Sequence, residues 1–355
     1  MSLRSHAIRR PRTGFTLIEV LVVISVIVII AGLSMGVYFR VRKAQVQTAS
    51  ETTINKLSSN LDHQWKAVLD NAKDDARKNG IKAVDPLATA WATNPTTNQV
   101  DPRLELVIHT KMLQKLEFPQ SFWEAVWWPS VVGFQQKSSY VRQITAQVTP
   151  AAIQTLAPGL GNNQILQESA VLLFISMGQA RRGMAAFNPT DAVGPYAVGS
   201  TTLFHYPNSP TFPCFVDNWG QPIAFIRWPW GAPVTHELNS PPFATVTTFK
   251  SLPVALAAFQ GQPVRIDPTD PEAMLVLGNW SAAGPTQFTN AVHPLPANFA
   301  SMLNLSPIII SAGPDKQTDA NGLTDFGIPV DFGAPVNQNE FDNLYSYRTR
   351  GQGRR

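Results

Sequence analysis

Charge and sulfur are scarce in this chain. Of its 355 residues only 15% are Asp, Glu, Lys or Arg, and there is a single cysteine. One cysteine, Cys214, excludes an intramolecular disulfide framework and any multi-cysteine zinc site. Its expected role is that of a small buried hydrophobe. The paired motifs of catalysis are missing as well. The six histidines (His6, His63, His109, His205, His236 and His293) fall at no H-E-x-x-H or other paired spacing. The chain has neither a G-x-S-x-G elbow nor a P-loop. "GLGNN" at 159–163 lacks a third glycine and a βαβ setting, and reads as a loop. The expectation is a protein that is not an enzyme; a concave metal-ligand triad involving His205 or His236 would reverse it. No internal repeat is evident.

Positive charge is absent from the body of the chain despite a formal net charge of +4. Residues 1–43 hold seven Lys/Arg against one acid, Glu19, and the last eight residues hold four Arg and no acid. The remainder carries 17 basic against 23 acidic residues. An acidic body with basic ends excludes nucleic acid as a partner. Apolar residues make up 44%, enough for a core of one large or two ordinary domains.

Proline, otherwise common, is missing between Pro11 and Pro86. That gap opens on "RRPRTGFTLIEVLVVISVIVIIAGLSMGVYF", residues Arg9 to Phe39. The 24 positions from Phe15 to Tyr38 are almost all Val, Ile, Leu, Ala and Gly, and as a helix they span roughly 36 Å, enough for a bilayer's hydrocarbon core. A secretory signal peptide is the alternative. Against it, the run is longer than the usual apolar region of such peptides and no A-x-A-like site follows. Instead Arg40, Arg42 and Lys43 lead into more helical sequence. With four Arg before the span and three basic residues after it, residues 1–14 are assigned to the cytoplasm. Glu19 is the anomaly, because a carboxylate in hydrocarbon costs about 2.5–3.5 kcal/mol. Either it snorkels to the headgroups, or it meets a cation at the same depth. Proteolysis between Gly14 and Phe15 would create such a cation, the α-amine of a new first residue.

"GFTLIEVLVVISVI" (14–27) resembles the class III signal of type IV pilins and type II secretion pseudopilins. The resemblance implies that a prepilin peptidase cuts after Gly14 and methylates the amine of Phe15. It further implies that Glu19, the fifth mature residue, pairs with the terminal amine of a neighbouring subunit on joining a filament. Cleavage would remove the four Arg of the leader.

Beyond the span, Ile54, Leu57, Leu61, Trp65, Val68 and Ala72 recur at three- and four-residue steps, an amphipathic stripe. Lys56, Ser59, Asp62, Lys66, Asn71 and Asp74 fill the opposite face, and Asn79-Gly80 supplies a stop. One nearly continuous helix from Phe15 to about Lys78 is expected, its second half lying against a globular head. Gly32 and Gly36 either soften it or let neighbouring helices pack closely. Residues 81–101 read as a connection. In "MLQKLEFPQSFWEAVWWPS" (112–130) the aromatic cluster reads as core, and "ILQESAVLLFISMG" (165–178) as a buried helix ending at Gly178. A turn at Asp217 to Gly220 precedes a strand in "QPIAFIRWPW", and "LSPIIISAGPD" reads as a strand running into a loop.

"DNWGQPIAF", "IISAGPDKQTDANGLTDFG" and "DNLYSYR" extend the resemblance, to the major pseudopilin of type II secretion. They imply a carboxy-terminal loop that binds one calcium ion, with Asp315, Asp319 and Asp325 as ligands and Asn321 and Asp331 in reserve. Hard oxygen donors in a flexible loop suit Ca²⁺. The family's head is small, whereas this chain carries roughly 120 further residues (about 90–210) between helix and sheet.

The expected fold is α+β: a long N-terminal helix, hydrophobic and then amphipathic, packed on a head with a small antiparallel sheet and additional helices. Its segments are a cytoplasmic leader (1–14), a transmembrane and filament-core helix (15–38) and an amphipathic continuation (39–80). A connection and helical insertion (81–210), a β-rich region (211–348) and a basic tail (349–355) follow. The resemblance implies a structural subunit of a periplasmic pseudopilus that drives protein export. Such a subunit is anchored once in a bacterial inner membrane, head in the periplasm, with prepilin peptidase, other pseudopilins, the assembly platform and the bilayer as partners. The alternative is a minor tip subunit or pilin-like surface adhesin whose large head binds a substrate.

Overall fold

A computed structural model describes residues 17–94, 97–131, 133–157, 160, 162–179, 181, 188, 193–194, 197–227, 307–314 and 344–346. The chain divides into two compact units, residues 1–48 and 49–355.

Helix α1 (Leu17–Lys78) dominates the order of elements. No proline interrupts it, and it stops where expected: Gly80 takes a φ of 72°, left-handed backbone that favours glycine over a branched side chain. In the first unit every residue of α1 from Leu17 to Gln45 is exposed. In the second, the stripe Ile54, Leu57, Leu61, Trp65, Val68 and Ala72 is buried throughout. That stripe enters a core with Phe118, Phe122, Tyr140, Ile144, Leu172 and Phe215, and Trp65 meets Phe118 at 5.2 Å between ring centroids. Each such side chain, fully buried, contributes about 1.5–3 kcal/mol.

Residues 81–101 are more than a connection. They form α2 (Ile81–Val84) and α3 (Pro86–Ala92) before α4 (Pro102–Glu117) begins. The prolines that argue for a break here sit at the first position of each helix, where no N–H is needed. Asp85 caps α3, its carboxylate accepting from the Ala88 amide at 3.0 Å. Asp101 does the same for α4 through Arg103 and Leu104. These helices enclose a second apolar cluster with Ile81, Trp91, Leu104, Ile108, Met112 and Trp128. The short helices α5 (Phe122–Val126), α6 (Trp128–Val131), α7 (Ser138–Thr145) and α8 (Pro150–Leu156) follow. α9 (Asn162–Met177) is the buried helix expected, and it starts earlier than expected, taking Asn162 and Asn163 out of the "GLGNN" loop.

Two antiparallel sheets complete the second unit. β1 (Val198–Thr202) pairs with β2 (Thr211–Phe215), Val198 opposite Phe215 and Thr202 opposite Thr211. Gly199 is required there by contact: a Cβ at this position would lie 2.7 Å from a Val216 methyl. β3 (Ile223–Ile226), β4 (Ile308–Ser311) and β5 (Leu344–Tyr345) form the second sheet in that order. Gly220, φ 84°, closes the expected turn before β3. Its Asp217 carboxylate accepts from the amides of Trp219 and Gln221, both at 2.9 Å, and from the Ser311 hydroxyl at 2.5 Å. The turn and the end of β4 are thereby tied together, although burial pushes Asp217 above the ordinary carboxylate range. α9 packs on both sheets: Phe174 meets Phe215 of β2 at 5.2 Å, and the Ser169 hydroxyl donates to the Phe225 carbonyl of β3 at 2.9 Å. Cys214 is the buried hydrophobe expected, between Leu166, Ala170, Ala224 and Ile310. Burial pushes its thiol up to about 12. The fold is α+β, as expected: a long N-terminal helix, further helices and small antiparallel sheets.

Candidate assembly segment

The most unusual surface of the molecule is the start of α1. Leu17, Ile18, Leu21, Ile24, Ile27 and Ile30 are each more than half exposed, and the apolar run continues to Val41. α1 is long and apolar enough to cross a membrane, and its most apolar window is not buried among the described residues. Its polar groups are kept local. Ser25 and Ser34 donate to the carbonyls of Leu21 and Ile30, four residues back, at 2.8 Å each. Glu19 lies exposed in the first turn, where the positive end of the helix dipole favours a carboxylate. Gly14 and Phe15 lie outside the described residues, as do Asp315, Asp319, Asp325, Asn321 and Asp331.

A second set of carboxylates sits inside the head, and sequence reasoning missed it. Glu124, in α5, takes two hydrogen bonds from Arg227 at 2.8 and 3.1 Å, and Lys115 lies 3.4 Å away. All three side chains are buried. Burial pushes Glu124 upward, but Arg227 and Lys115 overcome it and hold the carboxyl well below its usual range. Lys115 has the longer contact of the two cations, and burial lowers it to about 8. The one local clue was Ser121-x-x-Glu124, the spacing of a capping box: the Glu124 amide donates to the Ser121 hydroxyl, and the Gln120 amide to the Glu124 carboxylate.

Glu117 and Glu168 follow the same pattern. Arg181 donates to the Glu117 carboxylate and to Gln64 of α1, and its guanidinium covers the Phe118 ring at 4.4 Å. Glu168 interrupts an apolar run in α9, as Glu19 interrupts one in α1. It is fully buried and receives the Phe122 amide at 2.7 Å, the Tyr206 hydroxyl at 2.7 Å and His205 Nε2 at 3.1 Å. Burial, with the Glu168 charge beside it, pushes the Tyr206 phenol far above its ordinary value. His205 is thus spent on a structural network, and His236 lies outside the described residues. Among the described residues no three His, Cys, Asp or Glu side chains converge on a place for a metal ion.

The chemistry available to the first unit is therefore burial of an apolar helix in lipid or against other helices. Residues 9–35 match the family model of the prokaryotic N-terminal methylation motif, a stretch that includes Gly14, Phe15 and Glu19. No curated protein and no solved structure matches the chain. The matched segment is a pilin-type signal, and with the one helix among the described residues that is long and apolar enough to cross a membrane it fits a membrane-anchored, single-pass protein.

Proposed function

We propose that this chain is a pilin-like structural subunit, cut after Gly14 by a prepilin peptidase, methylated on Phe15 and assembled into a filament through the first half of α1. The observation that carries the reading is the wholly exposed apolar surface from Leu17 onward with Glu19 in its first turn. Lipid covers that surface before assembly and neighbouring copies cover it afterwards; Glu19 meets a neighbour's new amine. Glu19→Ala tests this. The variant is expected to fractionate with membranes, to be processed normally and to lose cross-linkable multimers. Wild-type multimers from the variant would refute the role.

Within that class, the type II secretion pseudopilus is the favoured setting. The turn at Asp217 to Gly220 and the β3–β4–β5 order use the stretches that resemble the major pseudopilin. The subunit would be held in a bacterial inner membrane with its head in the periplasm and engage other pseudopilins on the assembly platform. Growth of the filament, driven by a separate cytoplasmic ATPase, would push exoproteins outward. Calcium belongs to the same reading. Asp315, Asp319 and Asp325 offer the hard oxygen donors Ca²⁺ prefers, and in the sequence they follow β4, which ends at Ser311. Titration calorimetry with Ca²⁺, with and without Asp315→Ala, decides it. The second reading, a minor tip subunit or adhesin, is favoured by the helices between α1 and the sheets, which enclose a core cluster of their own. Copy number in native envelopes separates the two: a large excess over partner pilins supports the filament body, a few copies the tip.

A further inference from the structure

The apolar half of α1 ends abruptly in Tyr38-Phe39-Arg40-Val41-Arg42-Lys43. Tyr38 and Phe39 are exposed and meet edge to face at 5.9 Å. Arg40, Arg42 and Lys43 are exposed as well. No acidic residue occurs between Glu19 and Glu51, so none stands one helical turn away from any of the three cations. Among the described residues none of them has a carboxylate partner. Arg40 and Lys43 lie about 60° apart around the helix, and Arg42 stands about 160° from Arg40 with Tyr38 beside it. Cations and aromatics thus spread widely around the helix rather than forming the single stripe that one protein partner would cover.

Depth along the helix says what does cover them. Leu17 to Phe39 is 23 residues, roughly 35 Å of helix against about 30 Å of hydrocarbon. Aromatic rings followed by long cationic side chains then arrive together at the headgroup layer on the side to which the rest of the chain leads. Rings with one polar end favour that layer, and Arg and Lys reach phosphate from it. We infer that Tyr38, Arg40, Arg42 and Lys43 form a collar that binds anionic phospholipid headgroups of the leaflet on the head side of the membrane. This rests on the membrane-anchored reading of the first unit. The leader's four Arg are removed on processing in that reading, and the collar then holds the helix at its depth. Withdrawal of the subunit from the bilayer has to break these contacts.

The test uses the processed chain, beginning at Phe15 and so without the leader's four Arg, in neutral detergent micelles, given equal amounts of phosphatidylglycerol and phosphatidylcholine, with retained lipid read by native mass spectrometry. Three cations near an anionic headgroup predict retention of phosphatidylglycerol at least roughly tenfold over phosphatidylcholine. Arg40→Gln with Arg42→Gln and Lys43→Gln brings the two lipids to parity, whereas Arg40→Lys with Arg42→Lys keeps the preference. No preference in the wild type, or an undiminished one in the triple glutamine variant, overturns the collar. Displacement of phosphatidylglycerol by inorganic phosphate, beyond that by chloride at equal ionic strength, would mark a soluble-anion site and overturn it too. Carbonate washing of membranes separates the collar from the reading beneath it. Wild type that washes off refutes the membrane anchor. Wild type that stays but shows no lipid preference refutes the collar alone.

Discussion

Between Leu17 and Gln45 α1 exposes every side chain, while between Ser50 and Ala72 the same helix buries one face. Both halves are rich in aliphatic residues, but they treat polar groups differently. The first half turns its serines back on its own carbonyls. The second sends them across the fold: the Asn218 amide donates to Ser50, and Gln64 donates to the Met177 carbonyl. One half is defined by the solvent around it, the other by named partners far away in sequence. Stability should therefore respond to single substitutions in the second half and in the head, and hardly at all in the first half.

Two carboxylates give the largest contrast. Glu124→Ala leaves Arg227 and Lys115 buried without their shared anion, and is expected to cost about 3–5 kcal/mol in urea unfolding of the full chain in detergent. Glu19→Ala should leave that midpoint unchanged while abolishing multimers. A shifted midpoint for Glu19→Ala would break the comparison. Two aliphatic truncations come next. Leu57→Ala, at a fully buried position, should cost about 2–5 kcal/mol. Ile27→Ala should stay within about 0.5 kcal/mol, because Ile27 is more than half exposed among the described residues.

Glycines sharpen the same point at smaller scale. Gly199→Ala forces the new methyl against Val216 and should cost about 1–3 kcal/mol. Gly32→Ala meets nothing within 4 Å and should leave unfolding unaffected. A further effect is one of pH. Burial lowers Lys115 from 10.5 to about 8, so the folded protein gives up this proton before the unfolded chain does. Between those values the unfolded state binds more protons, and this group's contribution to stability rises with pH. Lys115→Met leaves Glu124 paired with Arg227 and should remove that rise, measured as the difference in midpoint between pH 8 and pH 10.

Much of this was legible because the determining signals are local. The stripe from Ile54 to Ala72, the stop at Gly80, the apolar run of α9 and the Asp217 turn each declare themselves within a few residues. What stayed hidden depends on distant partners. Lys111 and Lys115 in "TKMLQKLE" look like the wet side of a helix, yet both are fully buried. The carboxylate that makes Lys115 tolerable, Glu124, comes from the next helix and is itself held by Arg227, more than a hundred residues on. Residues 81–101 read as a connection for a different reason. A proline signals a break or a start, and the cap from Asp85, whose carboxylate also meets His109 at 2.9 Å, decides which. Glu19 and Glu168 each stand as a lone carboxylate near an apolar run, Glu19 between Ile18 and Val20 and Glu168 between Gln167 and Ser169. Only the fold separates the exposed one from the one surrounded by donors.

The hydroxyls of Ser25 and Ser34, closed on their own helix, have a consequence for traffic between environments. A span whose serine hydroxyls are satisfied internally asks little of its surroundings at those turns. Moving it from lipid to a bundle of like helices exchanges one set of hydrocarbon neighbours for another, with no hydrogen bond remade along these turns. In the proposed assembly that exchange would be close to isoenergetic over these turns. What remains to set its direction is concentrated at the two extremities, a carboxylate at one end and three cations at the other.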